Sequence, residues 1–389
     1  MPLSERGRCV DHLLARSLHD GAGGAPLYNR VIEVAGGRIA AVRTATAADA
    51  RDDRLPAFDL VVPGFIDLQI NGAGDVQFND DPSPEALERI AAGAREGGTA
   101  WILPTFITAP GSDYVRAIEA ARQAIARGVP GILGVHLEGP FLAPERPGIH
   151  DPAAIRPIEE ADLTLLADAA RALPILLTLA PERLPPGALA RLARAGVRVF
   201  AGHTAATADE MAAAEAEGLR GATHLFNAMS QMTGREPGAV GAVLASERLF
   251  AGLIADGHHV DWRNVRVSAR LMPDHLCLVT DAMLTLAGRR RSFDLHGERI
   301  ELRDGRLTNA EGRLAGAHVS MVESLGNVLR HAGLDLSAAL RLATVNPARA
   351  IGLEREVGAL RPGLRAGATC LSSDLSVTAV LVDGMLLEA

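Results

Sequence analysis

From Val61 onward, short apolar runs alternate with Ala-, Leu- and Arg-rich segments of helical period. The runs are "VVPGFIDLQ" (61–69), "TAWILPTF" (99–106), "GILGVHLEG" (131–139), "PILLTLAP" (174–181), "VRVFAGHT" (197–204), "GATHLFN" (221–227), "LFAGLIADG" (249–257) and "HLCLVTDAM" (275–283). Runs of this length, rich in β-branched and large apolar residues, read as buried strands. Segments such as "SPEALERIAAGAREGG" and "PPGALARLARAG" lie between them as helices, with Gly97 and Gly196 marking helix ends. Eight strand–helix units in about 230 residues predict an α/β protein with a (β/α)8 TIM-like barrel. A doubly wound open sheet has the same rhythm and is the competing arrangement.

The two ends of the chain lack that rhythm. "YNRVIEVAGGRIAAVRT" holds two β-like runs joined by Gly-Gly, and "AGATCLSSDLSVTAVLVDGMLLE" holds strands with a turn at Asp383-Gly384. We expect one small β-sandwich domain from both termini, residues 1–58 and 350–389, around a barrel at 59–349. A further hairpin pattern, "FDLHGERIELRDGRLT" (293–308), follows the eighth run.

Composition narrows the chemistry. Apolar residues make up 48% and aromatics 3%, so the core must be built mainly from Ala, Leu, Val and Ile. A net charge of −8 argues against a nucleic-acid surface. No run of about 18 apolar residues occurs, so no membrane span is expected. All 39 basic residues are Arg. A lysine Schiff base, a P-loop and a carboxylated lysine bridging two metals are therefore excluded. Cys9, Cys277 and Cys370 have no paired spacing, and "MPLSERGRCVDHLLARSLHD" is charged with no apolar leader core. Both features lead us to expect a cytoplasmic protein.

In a parallel barrel the reacting groups sit at the C-terminal strand ends. Those ends carry Glu138, His203, His224 and Asp281. Taken singly, Glu138 reads as a loop carboxylate, each His as a structural residue, and Asp281 as a helix cap. Taken together, two His and one Glu around an open position form a recurrent catalytic zinc site. Asp281 would then be a general base on the metal-bound water and an acid toward the leaving group. His136, two residues before Glu138, stands either behind the ligand or in the core.

These residues lie in segments that resemble the N-acetylglucosamine-6-phosphate deacetylases of the amidohydrolase superfamily. The segments are "PGFIDLQINGAG", "HLEGPFL", "GIHDP", "GHTAAT", "THLFNAMSQMTGREPG", "ADGHHV", "VTDAM" and "LAGAHVSM", in order from Pro63 to Met321. The resemblance implies metal ligands Glu138, His203 and His224, with Asp281 as catalytic base. It implies substrate contacts from Ile149 and His150 in "GIHDP", from Asn227 and Ala228, and from Asp256 and His259 in "ADGHHV". Leu314, Ala315 and Gly316 would line the sugar through backbone groups. Arg235 and His259 would clamp the phosphate, Arg235 reaching into the neighbouring subunit of a homodimer. An Arg is the natural bidentate partner of a phosphate, though a lone loop Arg is usually solvated. Asp75 stands where the family has a second Gly, and His258 beside His259 forms a doublet of which His259 keeps the family register.

Many amidohydrolases bind a first metal through His-x-His on the first strand. Here Gln69 and Asn71 hold those positions. The resemblance is to members with Gln-x-Asn and one metal per subunit, Zn2+ first and Fe2+, Co2+ or Mn2+ as substitutes. Gln69 and Asn71 would then be a vestige of the first metal position. The expected reaction is hydrolysis of N-acetyl-D-glucosamine 6-phosphate to glucosamine 6-phosphate and acetate, in amino-sugar catabolism or cell-wall recycling. The competing expectations are the N-acetylgalactosamine 6-phosphate epimer and a non-catalytic homologue that only binds amino-sugar phosphates.

Overall fold

A computed structural model describes residues 7–388 of the chain; the first six residues of the charged N-terminal segment lie outside them. Eight parallel strands follow one another around a barrel: β1 (Phe65–Ile70), β2 (Thr99–Ile107), β3 (Val135–Glu138), β4 (Ile175–Leu179), β5 (Arg198–Ala201), β6 (Gly221–Ala222), β7 (Phe250–Ile254) and β8 (Leu276–Val279). Each pairs with the next in parallel register. The expected α/β barrel is the observed one, and the open-sheet alternative falls.

Alternation along the strands separates two cores. Ile66, Leu68, Trp101, Leu103, Leu176, Phe200, Cys277 and Val279 form one cluster. Their strand neighbours Val135, Leu137, Leu177, Leu276 and Leu278 pack with the surrounding helices in another. The helices start and stop where the residues dictate. Ser83 caps Pro84–Glu96 by accepting from the Ala86 N–H, and Gly97 ends that helix. Thr207 and Glu210 form a reciprocal capping box on Ala208–Glu217.

The run at 61–69 is two strands rather than one. Ala57–Pro63 joins the outer sheet, and Phe65–Ile70 enters the barrel. Gly64 is the break: its N–H donates to Gly367 O, and a Cβ there would lie 2.5 Å from that of Ala100. Apolar pattern cannot reveal such a break, because both strands are buried. The outer sheet has eight strands from both termini, among them Leu27–Ala35 and Arg38–Thr44 joined by Gly36-Gly37. At the other end Val377–Val382 and Met385–Glu388 turn at Asp383-Gly384, as the sequence indicated. The sheet curls until Arg38 bridges Arg365, enclosing a core of Leu13, Leu18, Ile32, Val61, Ala368 and Leu381.

The hairpin pattern after β8 becomes a four-stranded antiparallel flap, Ser292–Leu295, Glu298–Arg303, Arg306–Thr308 and Leu314–Ala317. Phe293, Ile300, Leu302, Leu307 and Ala315 pack it onto Met283 and Leu284, beside the C-terminal end of β8.

Candidate active site

Glu138 ends β3, and His203, His224 and Asp281 follow the ends of β5, β6 and β8. The barrel brings all four to one mouth. His203 Nε2 lies 3.2 Å from Glu138 Oε1, His224 Nε2 2.8 Å from the same oxygen, and the two nitrogens 3.1 Å from each other. All three side chains are almost wholly buried. His150 Nε2 stands 4.0 Å from Glu138 Oε1, and Glu138, His150 and His203 also offer donor atoms within 4.8 Å of one another.

This donor set fits a divalent cation. His203 Nδ1 bonds Arg146 O at 2.9 Å, which as a donor leaves Nε2 with its lone pair toward Glu138 and His224. Tetrahedral nitrogen and oxygen ligands about 2.0–2.2 Å from zinc sit roughly 3.4 Å apart, close to the spacing seen. Burial disfavours a charged His224, yet the hydrogen bond and negative charge of Glu138 outweigh it and raise the imidazole's pKa. Glu138 thus favours a positive charge at His224.

The backbone is strained at the same points. His203, His224 and Asp281 have φ of 49°, 32° and 50°, the left-handed region that L-residues avoid. No helix begins at Asp281, so its capping reading falls. Gly148 (φ 57°) runs against His203; a Cβ would lie 3.0 Å from the ring.

Gln69 and Asn71 face the carboxylates. Gln69 Nε2 donates to both Glu138 oxygens at 3.3 Å and to Asp281 Oδ1 at 3.2 Å, and Asn71 Nδ2 donates to Asp281 Oδ1 at 2.6 Å. Both amides engage Oδ1, so Oδ2 has no protein donor among the described residues. Burial, and next the charge of Glu138, push the Asp281 carboxyl up to about 6. His136, two residues before Glu138 on β3, has Nδ1 3.0 Å from Thr105 Oγ1 and Nε2 2.8 Å from Thr178 Oγ1.

A cavity of about 370 Å3 opens above these groups. Among its lining residues are Asn71, Glu138, Ile149, His150, His203, His224, Asn227, Ala228, His259, Asp281, Leu314 and Gly316. His150 is held by Thr108 Oγ1 at 2.8 Å from Nδ1. Of the histidine doublet, His259 lines the cavity and His258 is exposed. Asp256 stays behind His259, its carboxylate 2.7 Å from Nδ1. Besides Asp256, two expected contacts do not line this cavity. Ala315 points into the flap core, because Leu314 and Gly316 take the inner face. Arg235 is exposed on the loop after β6. Asp75 (φ 65°) accepts the backbone N–H groups of Arg289 and Arg290, tying its loop to the chain after β8.

Sequence reasoning missed Ile107, Met283 and Arg313, which line the same space. Arg313 directly precedes "LAG", and that adjacency was the available signal. Ile107 directly follows the apolar run 99–106 and Met283 closes the run 275–283, and neither apolar side chain stood out there.

Known proteins resemble the chain over this whole framework. The profile of the Amidohydrolase family matches residues 60–387. The N-acetylglucosamine-6-phosphate deacetylase of Haemophilus influenzae is 36% identical over 82% of this chain and 84% of that one. The N-acetylgalactosamine-6-phosphate deacetylase of Escherichia coli O157:H7 is 35% identical over 92% and 95%. The crystal structure of N-acetylglucosamine-6-phosphate deacetylase from Pasteurella multocida superposes with a TM-score of 0.91 at 34% identity, covering 97% of this chain and all of that one. The chain belongs to the amidohydrolase family, in the branch that holds these hexosamine-phosphate deacetylases.

Proposed function

We propose that the protein hydrolyses the amide of N-acetyl-D-glucosamine 6-phosphate, releasing acetate and D-glucosamine 6-phosphate. The observation that carries this reading is the meeting of Glu138, His203 and His224 within 3.2 Å, beside the buried Asp281 and its cavity. Glu138, His203 and His224 would hold one divalent metal, Zn2+ by preference. When bound, it would acidify the attacking water and polarise the acetyl carbonyl. Asp281 takes the water's proton on Oδ2 and passes it to the amide nitrogen as the C–N bond breaks. Gln69 and Asn71 hold Oδ1 still during both transfers. His150 positions the acetamide group, Asn227 and Ala228 the sugar. His259 meets the phosphate with Asp256 supporting its far nitrogen.

Arg235 completes the phosphate clamp from the neighbouring subunit of a homodimer. Its exposure on the loop after β6, outside its own cavity, is in keeping with that role. Arg235→Ala should raise KM for the phosphorylated sugar about tenfold or more. KM for free N-acetylglucosamine should barely move. Equal changes for both sugars would remove the phosphate role.

The deciding test is acetate release by metal-quantified protein with N-acetylglucosamine 6-phosphate, its galacto epimer and unphosphorylated N-acetylglucosamine in parallel. Preferential turnover of the first, with about one metal per chain, is expected. The galacto epimer is the second reading, favoured by the 92% coverage of the Escherichia coli relative. Binding of the phosphorylated sugar by metal-loaded protein without acetate release would instead support the non-catalytic sugar-phosphate binder, and no turnover of the three would point to other N-acyl compounds. We place the enzyme in cytoplasmic amino-sugar catabolism; among the described residues no helix is long and apolar enough to cross a membrane.

A further inference from the structure

The barrel closes at a seam between β1 and β8, and that seam is unlike the other seven contacts. Those seven are strand ladders, whereas β1 and β8 are the two ends of the barrel sheet. Their only regular link among the described residues is a single bridge, Ile70 to Ala282, beyond the end of β8. Backbone bonds appear at that same level: Asp281 N–H to Gln69 O at 2.8 Å, and Asn71 and Gly72 N–H to Ala282 O at 2.8 and 3.0 Å. On the other side, the register of β1 with β2 slips between Asp67 and Ile70.

A side chain fills the gap in the ladder. Asp67 is fully buried on β1. Its carboxylate accepts the Thr280 N–H at 3.2 Å, the Thr280 hydroxyl at 2.5 Å and the Gln69 N–H of its own strand at 3.1 Å. Thr280 Oγ1 in turn accepts the Ala282 N–H at 3.2 Å. The residue flanked by these two anchored positions is Asp281, held at φ 50°. A left-handed residue persists only when its surroundings over-determine it. Here the surroundings are Asp67 through Thr280 on one side and Ala317 N–H to Asp281 O at 2.8 Å on the other.

We propose that Asp67 is a positioning residue for the reaction, acting through Thr280 to aim the Asp281 carboxylate at the attacking water. The inference rests on Asp281 being the base of the proposed hydrolysis. Burial pushes the Asp67 carboxyl up to about 7, while its bonds from Thr280 and Gln69 favour the charged form. The group is thus costly to keep there, and a plain apolar residue would close the seam with less penalty.

The test compares Thr280→Val, which keeps the branched shape but removes the hydroxyl, with Thr280→Ser, which restores it. Parent, both variants and Asp281→Asn are assayed for kcat and KM on N-acetylglucosamine 6-phosphate, metal content and Tm. Thr280→Val should lower kcat about 10- to 100-fold with KM within about threefold and metal unchanged, and Thr280→Ser should recover most of the loss. If Thr280→Val does not fold, Asp67→Asn carries the same comparison, since it loses the acceptor for the hydroxyl and keeps one for the N–H groups. A variant with lowered Tm but parental kcat, or a Ser variant no better than Val, overturns the proposal. If Asp281→Asn itself keeps turnover, the base assignment falls and the positioning role with it. If Asp281→Asn is dead while Thr280→Val is fully active, only the positioning role falls.

Discussion

Asp281→Asn should lower kcat by about 10^2- to 10^4-fold, or about 3–5 kcal/mol of barrier, with metal content unchanged. Asparagine matches aspartate in shape and keeps an oxygen to accept from Gln69 and Asn71, so the packing at the mouth is retained. The lost property is the capacity to receive a proton on Oδ2. An amide cannot take the water's proton at neutral pH, nor return it to a departing amine. The measurement is steady-state acetate release beside metal analysis of the same sample. Turnover within tenfold of the parent would mean another group moves the proton.

Loss of a side chain proposed to hold the metal should be as severe by a different route. Glu138→Gln removes the one negative charge that both His203 and His224 face. Metal should be lost on dialysis, with turnover down about 10^3-fold or more. Chelator treatment of the parent should give the same inactivity, reversed by adding back Zn2+, whereas the variant should recover little. The two experiments separate the roles, because Asp281→Asn stays metal-loaded and inactive while Glu138→Gln is inactive through want of metal. A chelated, metal-free parent that still released acetate would refute the assignment of Glu138, His203 and His224.

The barrel was legible because its strands are bounded apolar runs and parallel sheets bury both faces. The terminal sheet was legible from its turns, Gly36-Gly37 and Asp383-Gly384. Glu138, His203, His224 and Asp281 stood out because polar groups end otherwise apolar strands. Three things were not legible. Gly64 divides one apolar run between two sheets through a close backbone approach that has no pattern of its own. The hydrogen bonds from Gln69 and Asn71 to Asp281 cross 212 and 210 positions of sequence and exist only once the barrel closes. Asp67 looked like any polar residue inside a strand, since its partner Thr280 lies 213 positions away.

The left-handed backbone at His203, His224 and Asp281 bears on how this protein would respond to engineering. Each such residue stores about 1 kcal/mol or more that glycine would release. A screen for heat tolerance alone would therefore reward substitutions at the very positions to which the proposed mechanism assigns turnover. Thermostable variants worth keeping would have to be found by scoring survival and acetate release together.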